Sequence, residues 1–169
     1  MKMNYLKLLV FASILVLLSC NKNDDEPVAE TPTPVGIYKL TAFNVSVAQD
    51  LNNDGTPSTN QMNETSCFNN SFLKLNSDNT FTYDDKGIEI NSNGITETIE
   101  CYSYGQIAGT WVLSGNNIIF TETSGDTYSW PYNGSNVTVT INDTDIVGTD
   151  SSDNPVYVTG NISAVYTKQ

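Results

Sequence analysis

Three glycine turns divide residues 109–141 into segments of strand length. The turns are centred on Gly115, Gly125 and Gly134, and the segments between them are rich in aromatic and β-branched residues. Glycine adopts the positive φ angles that tight hairpins demand, and aromatic and β-branched side chains favour pleated strands. The stretch therefore predicts four antiparallel strands, each paired with the next, and an all-β fold.

The segments on either side extend this predicted sheet. Residues 36–47 read as a strand that is partly buried on both faces, and two hairpins follow at residues 68–84 and 88–101. Residues 142–154 are acidic and turn-like. Residues 155–166 carry apolar or small side chains at every second position, and the small Gly160 and Ala164 suit a close approach within a barrel wall. We expect this last strand to pair with the first, which closes the antiparallel up-and-down meander into a barrel of about eight to ten strands.

The amino terminus has the features of an export signal. Lys2 and Lys7 precede an apolar run over residues 8–18, which is short for a membrane-spanning helix, and a serine precedes Cys20. We expect residues 1–19 to be a signal peptide, residues 20–34 a disordered tether rich in acidic residues and proline, and residues 35–169 the barrel domain.

The charge and composition of the chain argue against several functions. The net charge is −12, and the chain contains no histidine and no arginine. An acidic surface repels phosphate backbones, so we expect no nucleic-acid binding. Histidine is the usual general base and metal ligand, and arginine is the usual bidentate anion clamp. Their absence predicts a non-enzymatic protein and disfavours hydrolase, phosphotransferase and zinc-enzyme chemistry.

Residues 49–64 form the most unusual predicted loop. Asp50, Asn52 and Asp54 alternate before Gly55, and Thr56 follows with a carbonyl oxygen. Such a turn aims several hard oxygens at one point, as calcium requires, and predicts a structural calcium site at Asp50, Asn52, Asp54 and Thr56. The alternative is a turn whose side chains bond to their own backbone.

Two cysteines remain after export. Cys67 and Cys101 would both enter an oxidising compartment, so we predict a disulfide bond between them. The alternative is a pair of buried free thiols.

A row of aromatic residues lies within residues 109–141, the stretch that the three glycine turns divide. Tyr128, Trp130 and Tyr132 share one face of a strand, and Trp111 belongs to an earlier one. Aromatic rings supply apolar area and a polar handle, so these four residues are the candidate wall of a ligand site. The alternative is that they form the core.

Several motifs together resemble the lipocalin-like lipoproteins of Bacteroidota-type bacteria. They are the lipobox that ends in Cys20, the Cys67 region, and residues 36–40, 50–55, 76–82 and 109–113. The resemblance implies that Cys20 is lipidated and anchors the protein at the outer membrane. It also implies a barrel that is filled by side chains or holds one ligand. The acidic residues after Lys22 resemble a signal for display on the cell surface; the alternative is a linker that faces the periplasm.

Three functions follow from these features. The first is a monomeric, lipid-anchored barrel that binds a small apolar or amphipathic ligand. The second is a cell-surface interaction or glycan-binding module with a filled core, whose loops at residues 49–64 and 142–154 make the contacts. The third, an enzyme, has only carboxylates to use, and they are Asp84, Asp85, Glu97 and Glu100. An interior cavity of roughly 300 Å³ or more favours the first function, and a packed interior favours the second.

Overall fold

The computed structural model describes residues 33–169, and nearly all of its regular structure is antiparallel strand. The predicted signal peptide, the lipidation site Cys20 and the tether up to residue 32 lie outside the described residues. The strands are β1 (Gly36–Gln49), β2 (Ser58–Asn60), β3 (Phe72–Leu75), β4 (Thr80–Ser92), β5 (Glu97–Ser114), β6 (Asn117–Glu122), β7 (Thr127–Pro131), β8 (Asn136–Thr149) and β9 (Pro155–Lys168). A single-turn 3-10 helix covers Gln61–Asn63. Within residues 33–169, no helix has the length and apolar character needed to cross a bilayer.

Eight of these strands run around a nearly closed barrel. The order along the sheet is β7, β6, β5, β4, β3, β1, β9 and β8, and the short β2 pairs only with β1. The first and last strands are neighbours, with Tyr38 opposite Lys168 and Val45 opposite Ile162. This register confirms the predicted all-β, up-and-down meander and the predicted pairing of the two terminal strands.

One seam of the barrel stays largely unpaired, and it lies between β7 and β8. A short turn joins these strands, yet they share only an isolated bridge between Tyr132 and Val137. The prediction that all four strands of residues 109–141 pair in sequence is therefore wrong for the last pair. Pro131 ends the short β7 and lacks the N–H group that a ladder needs. Side chains pack across the gap, because the ring of Trp130 stacks 6.4 Å from that of Tyr166 on β9.

The number of strands in the barrel lies within the predicted range, but β4 and β5 are longer than the sequence pattern predicts. The two predicted hairpins share β4, and β4 and β5 pair from Thr80 and Thr110 out to Ser92 and Glu97. A β-bulge at Tyr104 keeps the ladder continuous, since Gly105 takes a φ of 97°. The predicted acidic turn at residues 142–154 is also wrong in its first half, because β8 continues to Thr149.

The last strand shows the predicted alternation. Ala164 and Tyr166 are buried, and Val156, Val158 and Ile162 are half-buried. Gly160 permits a close approach, since an added Cβ atom would lie 2.6 Å from Cδ1 of Ile146. The fully buried core side chains come from strands all around the barrel and include Tyr38, Leu73, Leu75, Phe81, Ile118, Phe120 and Val137.

Gly109→Ala tests how tightly the wall packs where β5 and β6 meet. An added Cβ atom would press on the backbone oxygen of Thr121 and lie 2.9 Å from Cε1 of Phe81. Because backbone cannot yield easily, we expect a loss of about 1–3 kcal/mol in the free energy of unfolding. Chemical denaturation measures it. Gly94→Ala is the control, since nothing lies within 4 Å there and only its φ of 84° is strained; an equal or smaller loss at Gly109 would contradict the packing.

Candidate functional site

Aromatic side chains fill one part of the barrel interior, and the four predicted ligand-binding residues are among them. Trp111 and Tyr132 are buried, and Tyr128 and Trp130 are half-buried against the same core. The ring of Phe120 lies 5.3 Å from that of Tyr128 and 4.6 Å from that of Trp130. These five residues form an aromatic plug, and the cavity described below is lined by other side chains.

Two of the polar groups around the aromatic plug are held by backbone carbonyl groups. Trp111 donates from Nε1 to the carbonyl oxygen of Asn76 at 3.2 Å, and the Tyr38 hydroxyl donates to the carbonyl oxygen of Pro34 at 2.6 Å. Burial raises the pKa of Tyr38 and of Tyr128 well above the usual tyrosine range. This part of the interior is therefore neutral and closely packed.

A cavity of about 250 Å³ occupies another part of the interior. Its apolar lining comes from β1, β4, β8, β9 and the segment after β2, and consists of Phe43, Val45, Phe68, Ile88, Ile146, Val147 and Ile162. The rings of Phe43 and Phe68 stack at 4.2 Å and form a flat apolar surface in this wall. The cavity is thus a small, mostly hydrophobic chamber, the kind of space in which proteins bind small molecules.

Gln61 brings an unpaired carboxamide to the cavity wall. Its side chain has no exposed surface, and neither Nε2 nor Oε1 has a hydrogen-bond partner within residues 33–169. Two other buried polar side chains nearby are paired. Gln49 accepts from the backbone N–H of Thr149 at 3.3 Å, and Glu64 accepts from that of Leu51 at 3.1 Å. The carboxamide of Gln61 is instead enclosed in the wall, and the hydroxyl of Ser71 likewise has no partner within residues 33–169.

The backbone of Gln61 is fixed on both sides. The Asn60 side chain accepts from the N–H groups of Met62 and Phe43, each at 3.2 Å, and so caps the 3-10 helix. The carbonyl oxygen of Gln61 accepts from the N–H groups of Glu64 and Thr65, each at 3.0 Å. These bonds fix the backbone at Gln61 in the wall.

Residues 50–71 form a capping segment that contributes Gln61 and Phe68 to the cavity. The predicted disulfide between Cys67 and Cys101 is present and fastens this segment to β5 across 34 positions of sequence. Phe68 is buried, and the backbone oxygen of Ser71 accepts from the N–H of Leu40 at 3.0 Å. The capping segment is therefore attached covalently to β5 and by hydrogen bonds to β1.

Two tyrosines border the cavity on the side of the β4–β5 hairpin. The hydroxyl oxygen of Tyr157 on β9 accepts from the backbone N–H of Ile90 on β4 at 3.3 Å, which links strands that are not neighbours. Tyr102 lies across Gly87, since a Cβ atom there would be 2.5 Å from the Tyr102 hydroxyl oxygen. The absence of a side chain on Gly87 leaves room for that ring in the wall.

Charged groups contribute little to the interior of the cavity. Lys86 is in its wall, but its ammonium group pairs with the Asp84 carboxylate at 3.3 Å. Asp145 also borders the cavity and is exposed. Burial, and to a smaller extent the charge of Glu122, raises the pKa of Asp85. The chamber itself is therefore close to neutral.

The predicted calcium ligands lie on the exposed loop that opens the capping segment. The Asp50 carboxylate accepts from the N–H groups of Asp54 at 3.1 Å and of Gly55 at 2.8 Å. The Asp54 carboxylate accepts from the N–H of Thr56 at 2.8 Å and from the Asn52 amide at 3.1 Å. Across residues 33–169, no group of three or more His, Cys, Asp or Glu side chains is arranged to hold a metal. The loop has the self-bonded geometry that the sequence also allowed, and calcium binding stays a prediction.

The candidate catalytic carboxylates do not converge on the cavity. Asp84 pairs with Lys86, and Glu97 and Glu100 are exposed on the hairpin of β4 and β5. Hydrogen bonds from Asn91 and Thr98 lower the pKa of Glu100. The cavity is thus lined by apolar side chains and a few polar ones, and these four carboxylates are not among them.

No protein-family model, curated protein or solved structure matches this chain. Within residues 33–169 the fold defines its class: a nearly closed antiparallel β-barrel, with a partly open cavity that a disulfide-bonded segment helps to line. The resemblance to lipocalin-like lipoproteins stays a prediction.

Replacing both cysteines by serine tests the attachment of the capping segment. Opening a loop of 34 residues is expected to lower the free energy of unfolding by about 4 kcal/mol on the loop-entropy estimate. Chemical denaturation of the double variant measures the loss, and reduction of the wild-type protein should reproduce it. An unchanged denaturation midpoint in both experiments would contradict a stabilising role for the bond.

Proposed function

We propose that this chain is a lipid-anchored, non-enzymatic carrier whose barrel holds one small amphipathic molecule in the capped cavity. The observation that supports it is the cavity of about 250 Å³, whose lining combines apolar side chains with a few polar ones, among them Tyr102 and Thr144. Apolar walls with a few placed polar groups are the usual composition of small-molecule sites. The wall residues differ from those that the sequence suggested, since the aromatic plug packs elsewhere in the barrel.

The size of the cavity limits the ligand. An apolar cavity of about 150 Å³ holds a benzene molecule, so about 250 Å³ suits a ligand of roughly ten non-hydrogen atoms. This volume is below the roughly 300 Å³ that we expected of a carrier, which is also the size at which drug-sized sites begin. The proposed carrier therefore holds a compact molecule, smaller than a long acyl chain.

The lining of the cavity favours an amphipathic ligand. A hydrogen bond between the ligand and a polar lining residue such as Thr144 or Tyr102 contributes about 0.5–1.5 kcal/mol. Apolar contact with the surrounding walls adds about 25 cal/mol for each Å² that the ligand buries. Both contributions act only on a molecule that has an apolar body and a polar group.

Filling the chamber tests the carrier function. Val147→Trp places a large side chain in the cavity wall, where Val147 is buried, and is expected to abolish ligand retention. Native mass spectrometry of protein purified from its own cells measures the retained molecule. Val112→Trp is the matched control, because Val112 is 55% exposed on the outside of β5.

A retained molecule in the wild type and in Val112→Trp, but not in Val147→Trp, supports the proposal. Equal retention in all three proteins would place the ligand elsewhere and contradict it. Thermal melting of each variant establishes that the barrel is folded. Ile88→Phe is a smaller change in the same wall and serves if the tryptophan variant unfolds.

The anchoring part of the proposal rests on the amino-terminal sequence. A lipidated Cys20 would hold the barrel at the outer membrane, with the acidic tether as a spacer, because each buried CH₂ of an acyl chain adds about 0.8 kcal/mol.

Cys20→Ala is expected to move the protein from the membrane fraction to the soluble fraction of its own cells, as fractionation and immunoblotting would measure. Ser19→Ala, which keeps the thiol, is the control. Persistence of the alanine variant at position 20 in the membrane fraction would contradict lipid anchoring.

A surface module that binds a protein or glycan is the second candidate, and the outer part of the β4–β5 hairpin favours it. Ile95 at the hairpin turn is 94% exposed, and Tyr104 is 72% exposed. The Tyr104 hydroxyl donates to the Glu89 carboxylate at 3.2 Å, and its ring stacks 4.8 Å from that of Tyr102. Loss of function on substitution of Tyr104, with Val147→Trp silent, would favour this candidate over the carrier.

A further inference from the structure

We propose that the outer face of β1 and β3 is a docking face that lies on the anionic head groups of a lipid bilayer. The docking face consists of Ile37 and Lys39 on β1 and of Phe72 and Lys74 on β3. The proposal rests on the lipid anchor of the proposed function and adds to it the side of the barrel that meets the membrane. It is independent of what the cavity binds.

The alternation of β1 and β3 directs these four side chains away from the core. The residues that alternate with them are buried, and they are Tyr38, Leu40, Leu73 and Leu75. Ile37 is 50% exposed and lies opposite Lys74, which is exposed. The half-buried Phe72 lies opposite the exposed Lys39, so a lysine stands beside each apolar residue. A shallow groove of about 420 Å³ crosses this face and combines apolar area with ammonium groups, as surfaces that lie in the head-group layer do.

The ammonium groups of Lys39 and Lys74 are available to an external anion. Neither is in an ion pair with a carboxylate of residues 33–169, whereas the Lys86 ammonium on β4 is held by Asp84 at 3.3 Å. Exposed lysines next to an anionic bilayer are attracted to its surface, and each strengthens the binding. The two lysines of the docking face can therefore bind head-group phosphates without first breaking an ion pair.

The charges of the barrel are separated between its two ends. Three of the four lysines in residues 33–169 lie around the start of β1, and they are Lys39, Lys74 and Lys168. Asp78, in the turn after β3, reduces the positive charge of this end. Acidic residues follow the far ends of β1 and β8, at residues 50–54 and 150–153, and the Thr149 hydroxyl donates to the carbonyl oxygen of Asp50 at 3.3 Å. An anionic surface therefore attracts the end that carries the docking face and repels the other.

The chain enters the barrel next to the docking face. The carbonyl oxygen of Thr33 accepts from the ammonium group of Lys168, which lies opposite Tyr38 on β1, at 2.7 Å. The stretch from the predicted lipidation site Cys20 to Thr33 reaches at most about 45 Å. Two exposed lysines hold a soluble anion weakly, but an anchored domain meets the head groups at a high effective concentration. The bilayer that holds the anchor is therefore the partner within reach of this face.

Acylation of lysines on vesicles tests the docking in the wild-type protein. Protein purified from its own cells is reconstituted into vesicles of phosphatidylcholine, or of phosphatidylcholine and phosphatidylglycerol in equal parts, and mass spectrometry measures the acylation rate of each lysine. We expect Lys39 and Lys74 to react at least about threefold more slowly on the anionic vesicles, because head groups cover them there. Lys86 should react equally on both. High salt should remove the difference, because it screens the attraction.

A fluorophore in the docking face gives a second readout. In Phe72→Trp, nitroxide labels on the lipid head groups should quench the new fluorescence on anionic vesicles and much less on neutral ones. Adding Lys39→Gln and Lys74→Gln should lower the ratio of docked to undocked protein about 25-fold, because each lysine near an anionic surface contributes about fivefold. Adding Lys86→Gln is the matched control, since it removes one lysine outside the face, and should leave the quenching unchanged.

The outcomes separate the docking face from the anchor. If the wild type floats with both kinds of vesicle but Lys39 and Lys74 react equally on both, the docking face is overturned and the anchor stands. If the wild type does not float with the neutral vesicles, the anchor of the proposed function is overturned. Protection of the two lysines on neutral vesicles as well would point to a protein partner on this face and refute the membrane assignment. If Phe72→Trp does not fold, acylation of the wild type decides.

Discussion

The antiparallel ladder between β1 and β9 is the interaction on which the rest of this structure depends. It joins the two ends of the domain, from Tyr38 opposite Lys168 to Val45 opposite Ile162, and turns a meander into a barrel. Closure with eight strands leaves an interior just wide enough for side chains or one small ligand. With the chain ends paired, the largely unpaired edges of the barrel in residues 33–169 lie at the β7–β8 seam. Pro131 limits pairing there, and the packing of Trp130 on Tyr166 bridges the gap. Whether the interior is filled then depends only on which side chains point inward.

Side-chain size changes along the strands, and this change creates the cavity. On β4, Phe81 packs against Gly109 of β5 and against Phe120, so that part of the interior is filled. Farther along the same two strands the relation is reversed, because Gly87 of β4 faces Tyr102 of β5. Most of the apolar lining there is branched aliphatic, and the exceptions are the stacked rings of Phe43 and Phe68 and the ring of Tyr157. An alternation of large and small partners across one hairpin therefore divides the barrel into a packed part and a hollow part.

Local patterns in the sequence predict most of the fold and little of the site. The period-two pattern of residues 155–166 and the glycine turns at Gly115, Gly125 and Gly134 report burial and turn geometry directly, so the barrel and its closure follow. Export and cysteine count predict the disulfide, which fixes the capping segment. Strand boundaries are harder to predict from the sequence. Two predicted strands are joined into β5 by the bulge at Tyr104, which depends on a single positive φ at Gly105. The unpaired seam depends on where the neighbouring strands place β7 and β8. The sequence of β7 alone carries no information about that placement.

Gln61 illustrates why the sequence alone does not predict the residues of the site. It lies among polar residues between Asn60 and Asn63, where a loop on the surface is the natural expectation, and it is nonetheless fully buried. The disulfide at Cys67 and the stacking of Phe68 on Phe43 draw this polar segment over the barrel interior. The bonds that cap the 3-10 helix fix the backbone of Gln61 within this covered segment. The burial of its side chain therefore depends on contacts made across the barrel, and residues near Gln61 in the sequence carry no sign of them.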